Sequence, residues 1–236
     1  MVTIGFVLAM FLRLALIPNP GFEADISFWK SWGLATADFG IVEGMKVSNN
    51  NYPTPFAYTL GAMVALYSQF ADPHNFNEFW TNTNLLFLIV SKLVPILADF
   101  GIALVILLIG KHAKRLGFPE VKISFFGLTW FQLAALIYLV SPLSLIDGAL
   151  WGQVDSLGVC IFLVAVVLAL KRMPLLAGCI YMLAMMTKLQ NMIYGPVFFL
   201  FIWQTLGFRG LVQAITGATV GFFGLNIEFV LTRNMD

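Results

Sequence analysis

Five apolar runs of membrane length or near it follow one another from residue 85 to residue 231, at 85–110, 123–145, 157–170, 175–203 and 211–231, with short polar breaks between them. A membrane-crossing helix needs roughly 20 consecutive apolar residues, so this succession predicts a chain that crosses a bilayer repeatedly. Composition agrees: 60% of residues are hydrophobic and 11% charged, where a soluble domain carries about 25% charged residues. The fold class expected is all-α, a polytopic transmembrane bundle of about seven or eight membrane segments, with residues 1–236 forming one domain. Apolar sequence continues to Leu231 with no polar tail, which reads as one half of a longer protein.

Charge excludes some functions. A net charge of +1 offers no basic face to nucleic acid. Cys160 and Cys179 lie inside apolar runs, where a thiol behaves as a small hydrophobe. His74 and His112 are expected as solvated loop residues, no His/Cys cluster has metal-ligand spacing, and no phosphate-cradling glycine loop occurs. No cofactor motif is present, and a requirement for a divalent metal is left open.

Residues 2–17 read as a retained first span, interrupted by Arg13 next to the Pro18-Asn19-Pro20-Gly21 break; Arg13 either anchors at the interface or faces a ligand. In residues 21–52, Ile26, Trp29, Trp32 and Leu34 with Phe39 recur near helical spacing. They predict an amphipathic juxtamembrane helix in the first external loop, its tryptophans at headgroup depth. Lys111, Lys114, Arg115 and Lys122 place the 111–122 loop on the cytoplasmic side. Residues 175–203 are too long for one span and predict a hairpin of two short helices. In residues 85–110, Pro95 predicts a bend, and Lys92 with Asp99 is expected to pair. Two topologies stay open: residues 55–70 re-enter the membrane, or residues 85–110 break at Pro95.

The functional signal lies in residues 141–156, SPLSLIDGALWGQVDS, where Asp147, Trp151, Gln153 and Asp155 separate two membrane-length runs. An intramembrane charge costs at least roughly 2.5 kcal/mol on insertion scales, so such residues face water or a polar ligand. Glu23, Asp25, Tyr52, Asp147, Trp151, Gln153, Asp155, Lys188 and Gln190 collect on the outward side from three separate loops. Carboxylates able to accept a proton and a cation able to meet a departing phosphate suit group transfer from a lipid-linked donor. A transporter or flippase using Lys92, Asp99 and Lys188 is the alternative. Simpler readings exist for single residues: Asp25 as a helix-start acid, Asp155 as an N-cap, Trp151 as an interfacial belt residue, and Lys188 as a snorkelling cation.

The segments GFEADISFWKSW (21–32), NYPTPFAYTL (51–60), KLVPILADFGIALVI (92–106), SPLSLIDGALWGQVDSLGV (141–159) and MTKLQNMIYGPVFF (186–199) occur in the order of the GT-C glycosyltransferases that use polyprenyl-phosphate sugars. The chain resembles that family's N-terminal module, with Thr54 where a second proline is usual and Leu189 where proline is common. The resemblance implies an inverting transfer of mannose or glucose from a polyprenyl-phosphate donor to a lipid-linked or protein-glycan acceptor. By it, Asp25 is the catalytic base with Glu23 second. Tyr52, Trp151, Gln153, Asp155 and Gln190 line the site, and Lys188 or Arg13 meets the lipid phosphate. Such a protein would sit among membrane lipids, multi-pass, in a prokaryotic plasma membrane or the endoplasmic reticulum. Family members have more spans than this chain, which leaves the non-catalytic fragment as a further alternative.

Overall fold

The computed structural model describes residues 1–112, 122–123 and 127–232, without the side chains of residues 122 and 123. Of the 111–122 basic cluster only Lys111 has a described side chain, so the inside assignment made from it lies outside the described residues. The described chain is nearly all-α. Its helices are α1 (Val2–Leu16), α2 (Glu23–Val47), α3 (Thr54–Tyr67), α4 (Phe76–Phe79), α5 (Leu85–His112), α6 (Trp130–Val140), α7 (Pro142–Ser144), α8 (Asp155–Leu170), α9 (Pro174–Thr187), α10 (Gly195–Leu225) and α11 (Ile227–Leu231). A short antiparallel ribbon pairs β1 (Lys122–Ile123) with β2 (Leu128–Thr129). A π-helical turn covers Leu145–Trp151, and a 3₁₀ segment covers Leu189–Tyr194.

Among the described residues two stretches are long and apolar enough to cross a membrane, Leu85–His112 and Leu189–Leu225, and Trp130–Val140 with Pro142–Trp151 makes a third if that 45° bend lies within one span. Polarity is inverted relative to a soluble globule. Arg13, Lys92 and Asp99 are buried, while Ile4, Phe11, Val197 and Phe208 are each at least 63% exposed. Those outward side chains suit lipid.

Several boundaries differ from the sequence reading. The run expected from residue 123 is a ribbon first, and α6 starts at Trp130, where Thr129 and Gln132 form a reciprocal capping box. That T-x-x-Q spacing is a start signal legible in the sequence. Helix α5 continues through Pro95 without a break, which removes the broken-segment topology. Gly207, at φ 69, divides α10 into two helices. The expected hairpin is present as α9, the 3₁₀ tip and the first part of α10.

Among the described residues four apolar clusters hold the bundle, the fourth being Ile17, Leu88, Ile96 and Ala149. Ile26, Trp29 and Trp32 of α2 pack on Phe56, Leu60, Met63 and Tyr67 of α3 and on Phe79 and Phe87. The expected membrane-surface helix is corrected here: Trp29 and Trp32 are 2% and 7% exposed, so α2 spends its apolar face on α3. Gly33 permits that approach, since a Cβ there would lie 2.8 Å from the Leu60 carbonyl oxygen. A second cluster joins Ala165 and Ala169 of α8, Ala177 and Tyr181 of α9, and Phe198 and Ala214 of α10. The third packs Ala9 of α1 with Ala103 of α5 and Ala135 and Leu139 of α6. Small residues at these seams let helix backbones approach, the usual means of packing where lipid offers no hydrophobic drive.

Candidate functional site

The α1–α2 turn and the end of the π-helical turn meet backbone to backbone. Gly21, at φ 73, could carry no side chain, because a Cβ would sit 2.3 Å from the Trp151 carbonyl oxygen. Gly152, at φ 91, reverses the chain after the π-helical turn, its N–H donating to the Asp147 carbonyl at 3.0 Å. The Gln153 N–H donates to that same oxygen at 2.8 Å, which aims the Gln153 side chain back toward the first loop. Lys92 of α5 pins both loops. Its Nζ donates to the carbonyls of Ile17 (3.1 Å), Asn19 (2.6 Å) and Leu150 (2.8 Å), using all three ammonium donors.

This scaffold presents Asp25 in the first turn of α2, half-buried. Its Oδ2 accepts hydrogen bonds from Trp151 Nε1 at 2.9 Å and from Gln153 Nε2. The Phe22 and Trp151 rings pack at 5.4 Å between centroids, forming an aromatic wall beside the carboxylate. Asp25 thus holds both its helix-start position and a cross-loop role. Gln153 Oε1 is buried without a hydrogen-bond partner among the described residues. Two residues on, Asp155 pairs with Lys188 from the end of α9. An extended chain covers about 3.5 Å per residue, so the Cα atoms of Gln153 and Asp155 lie within about 7 Å of each other, and one short segment reaches both Asp25 and Lys188. Asp155 does not cap α8: the N-cap is Val154, with no side-chain capping bond. Asp147 lies near enough to interact with both Asp155 and Lys188.

The remaining expected residues divide. Glu23 is exposed at the start of α2, and Gln190 is exposed in the 3₁₀ tip beside Lys188. Tyr52 is not part of this cluster. Its ring packs on Trp32 and Phe56, 5.6 and 4.6 Å between centroids, in the α2–α3 core. Arg13 is corrected from ligand-facing to internal. It is 0% exposed and pairs with Asp99 at 3.1 Å, and it donates to Leu139 O at 2.7 Å and Ser144 Oγ at 3.2 Å. Asp99 also accepts from Tyr138 Oη at 2.7 Å, so the expected Lys92–Asp99 pair does not form. The sequence reading missed the organising roles of Lys92, Gly21 and Gly152. The two glycines were legible as breaks after Pro20 and Trp151, but the partners of Lys92 were not.

No family model matches the chain, and neither a curated protein nor a solved structure does. Among the described residues no three His, Cys, Asp or Glu side chains form a metal-holding group. The arrangement can do two things chemically. Asp25, half-exposed and oriented by two donors, can accept a proton from a hydroxyl next to an aromatic wall. Lys188, held by one carboxylate, can exchange that partner for an incoming anion.

Proposed function

We propose that this chain is the N-terminal module of a multi-pass GT-C-type membrane glycosyltransferase, its seven to eight membrane segments formed by the short apolar helices together with the long ones. In this reading it transfers mannose or glucose from a polyprenyl-phosphate donor to an acceptor hydroxyl on the extracytoplasmic side. The observation that carries it is the joining of three sequence-distant loops: Asp25 from the first, Trp151, Gln153 and Asp155 from the second, and Lys188 from the hairpin.

Asp25 removes the acceptor hydroxyl proton as the oxygen attacks the sugar's anomeric carbon. The carbon–oxygen bond to the polyprenyl phosphate breaks with inversion, and the phosphate leaves carrying its electron pair. Lys188 stabilises that charge as the phosphate displaces Asp155 from it. Trp151 and Phe22 give the sugar an apolar wall, and Gln153 keeps Asp25 in orientation. Glu23 and Gln190 stand exposed at the rim, free to meet acceptor hydroxyls. The transporter reading draws on Lys92, Asp99 and Lys188; Lys92 and Asp99 already have fixed partners, which leaves it Lys188 as an exchangeable charge, and this favours transfer.

The test is sugar transfer from a radiolabelled polyprenyl-phosphate hexose panel in membranes containing the chain, beside Asp25→Asn at matched abundance. General-base catalysis contributes about 10²- to 10⁴-fold, so Asp25→Asn should lose at least about a hundredfold with insertion unchanged. Turnover retained in that variant removes Asp25 as the base. A labelled product absent from the parent as well removes the transfer reading for this chain.

A further inference from the structure

At the opposite end of α8 from Asp155, about 24 Å along a 16-residue helix, a cavity of about 550 Å³ opens between the ends of α5 and α8 and the middle of α10. His112, Arg172 and Thr205 line it together with Leu170, Phe201 and Leu206. None of these takes part in the Asp25 site. We infer that this cavity binds a phosphate group, and that the phosphate is the headgroup of an anionic membrane lipid.

Charge is the first support. The sequence holds no aspartate or glutamate from residue 156 to residue 227, nor from residue 100 to residue 112. The helix ends at the cavity carry Lys111, His112, Lys171 and Arg172, with no described carboxylate on those segments to neutralise them. The second support is the conformation of Arg172. Helix α8 ends in a Schellman motif: Met173 N–H donates to Leu168 O at 3.0 Å and Arg172 N–H to Ala169 O at 2.9 Å. The left-handed position of that motif normally belongs to glycine, yet Arg172 occupies it at φ 60. An arginine kept in a strained conformation at the lip of a cavity points to use of its guanidinium, whose fork suits phosphate oxygens. The same motif occupies the Leu168 and Ala169 carbonyls near that end of α8. The third support concerns source. Leu170, Phe201 and Leu206 give the cavity apolar walls, and the adjoining Leu200, Trp203 and Phe208 are 48%, 53% and 70% exposed on a candidate span. Acyl chains can follow that surface directly from a headgroup held by Arg172.

The experiment uses the full chain in phosphatidylcholine nanodiscs with and without phosphatidylglycerol, followed by native mass spectrometry of the lipids retained on release. One cation near a membrane surface contributes about fivefold in affinity for anionic lipid. The parent should retain phosphatidylglycerol over phosphatidylcholine, and Arg172→Gln should retain about fivefold less. Arg172→Lys should keep part of the retention. Arg209→Gln, which removes a cation that does not line the cavity, should match the parent. Failure of added inorganic phosphate to displace the lipid upholds the headgroup as source; displacement upholds the phosphate site and transfers it to soluble phosphate. Equal retention of both lipids by the parent, or equal losses for Arg172→Gln and Arg209→Gln, overturns the site in favour of a diffuse basic surface. The test uses none of the transfer residues, so its outcome is independent of the sugar-transfer reading.

Discussion

Replacing Arg13 with methionine is the sharpest perturbation of the bundle. Asp99, 1% exposed, would keep the neutral hydroxyls of Tyr138, at 2.7 Å, and Ser156 but lose its guanidinium partner. The Leu139 carbonyl and Ser144 Oγ would each lose the donor they now receive from Arg13. Breaking a buried pair by removing one member costs about 3–5 kcal/mol, because the other charge is left uncompensated, whereas replacing both with apolar groups is often neutral. Arg13→Met and Asp99→Leu should therefore each destabilise by about 3–5 kcal/mol. The double variant should cost less than either single change. Reversible unfolding in mixed micelles, followed by circular dichroism, measures all three. Singles costing under about 1 kcal/mol, the range of an exposed pair, would refute the argument, as would a double variant equal to the sum. The same variant separates the two roles considered for Arg13. Weakened donor binding with unchanged stability is the pattern of a phosphate ligand and would refute an internal one.

Substituting alanine at Gly217 or Gly178 should separate α9 from α10, because the new Cβ atoms would lie 1.8 Å from Leu175 O and 1.9 Å from Ala214 O. Overpacking of this kind costs about 1–3 kcal/mol or more, and Gly224→Ala, where nothing lies within 4 Å, should be neutral in the same unfolding assay. Lys30 supplies a pH dependence. Its Nζ donates to Thr81 O at 3.0 Å and lies 5.1 Å from the Phe87 ring centroid, and desolvation lowers the ammonium from 10.5 to about 8. Between those values the unfolded chain binds more protons than the folded one, so stability rises as pH increases from 8 toward 10.5. Melting temperatures at about pH 7.5 and about pH 10, spanning most of this window, should show the rise in the parent and a smaller one in Lys30→Met.

Much of the helical layout was legible because apolar runs leave few places for a chain to turn. The run at 157–170 became α8 (Asp155–Leu170), and the long 175–203 run folded back at its polar tip as Leu189–Tyr194. The site was partly legible for the same reason: in so apolar a chain, Asp25, Trp151, Gln153, Asp155 and Lys188 stand out. Partner choice was not legible. Lys92 and Asp99 are seven residues apart, about 10.5 Å along a helix axis, and each found a nearer partner on another element. Those partners include backbone carbonyls of Ile17, Asn19 and Leu150, which no side-chain pattern advertises. The tryptophans of α2 misled because an apolar face is indifferent to what covers it, and α3 covers it in place of lipid. The π-helical turn at Leu145–Trp151 left no periodic signature in seven residues.

The site depends on a group that has no part in its chemistry. Without a tether, the first loop, which follows Pro18 and Pro20, and the second, which follows the 45° bend at Ser141, have no reason to hold a fixed separation. Lys92 supplies that tether from α5, the 28-residue helix, by binding one loop through two carbonyls and the other through one. A hydrophobic contact in this position would tolerate sliding, whereas three directed donors on one ammonium fix the distance between the loops. Gly21 then lets the backbones touch, and Gly152, where an added Cβ would lie 3.4 Å from Lys92 Cγ, turns Gln153 toward Asp25. The Trp151 and Gln153 hydrogen bonds to Asp25 are consequences of this spacing. A buried lysine solvated by carbonyls is costly to place in an apolar bundle, and its presence here is accounted for by the geometry it imposes on two loops that meet at the site.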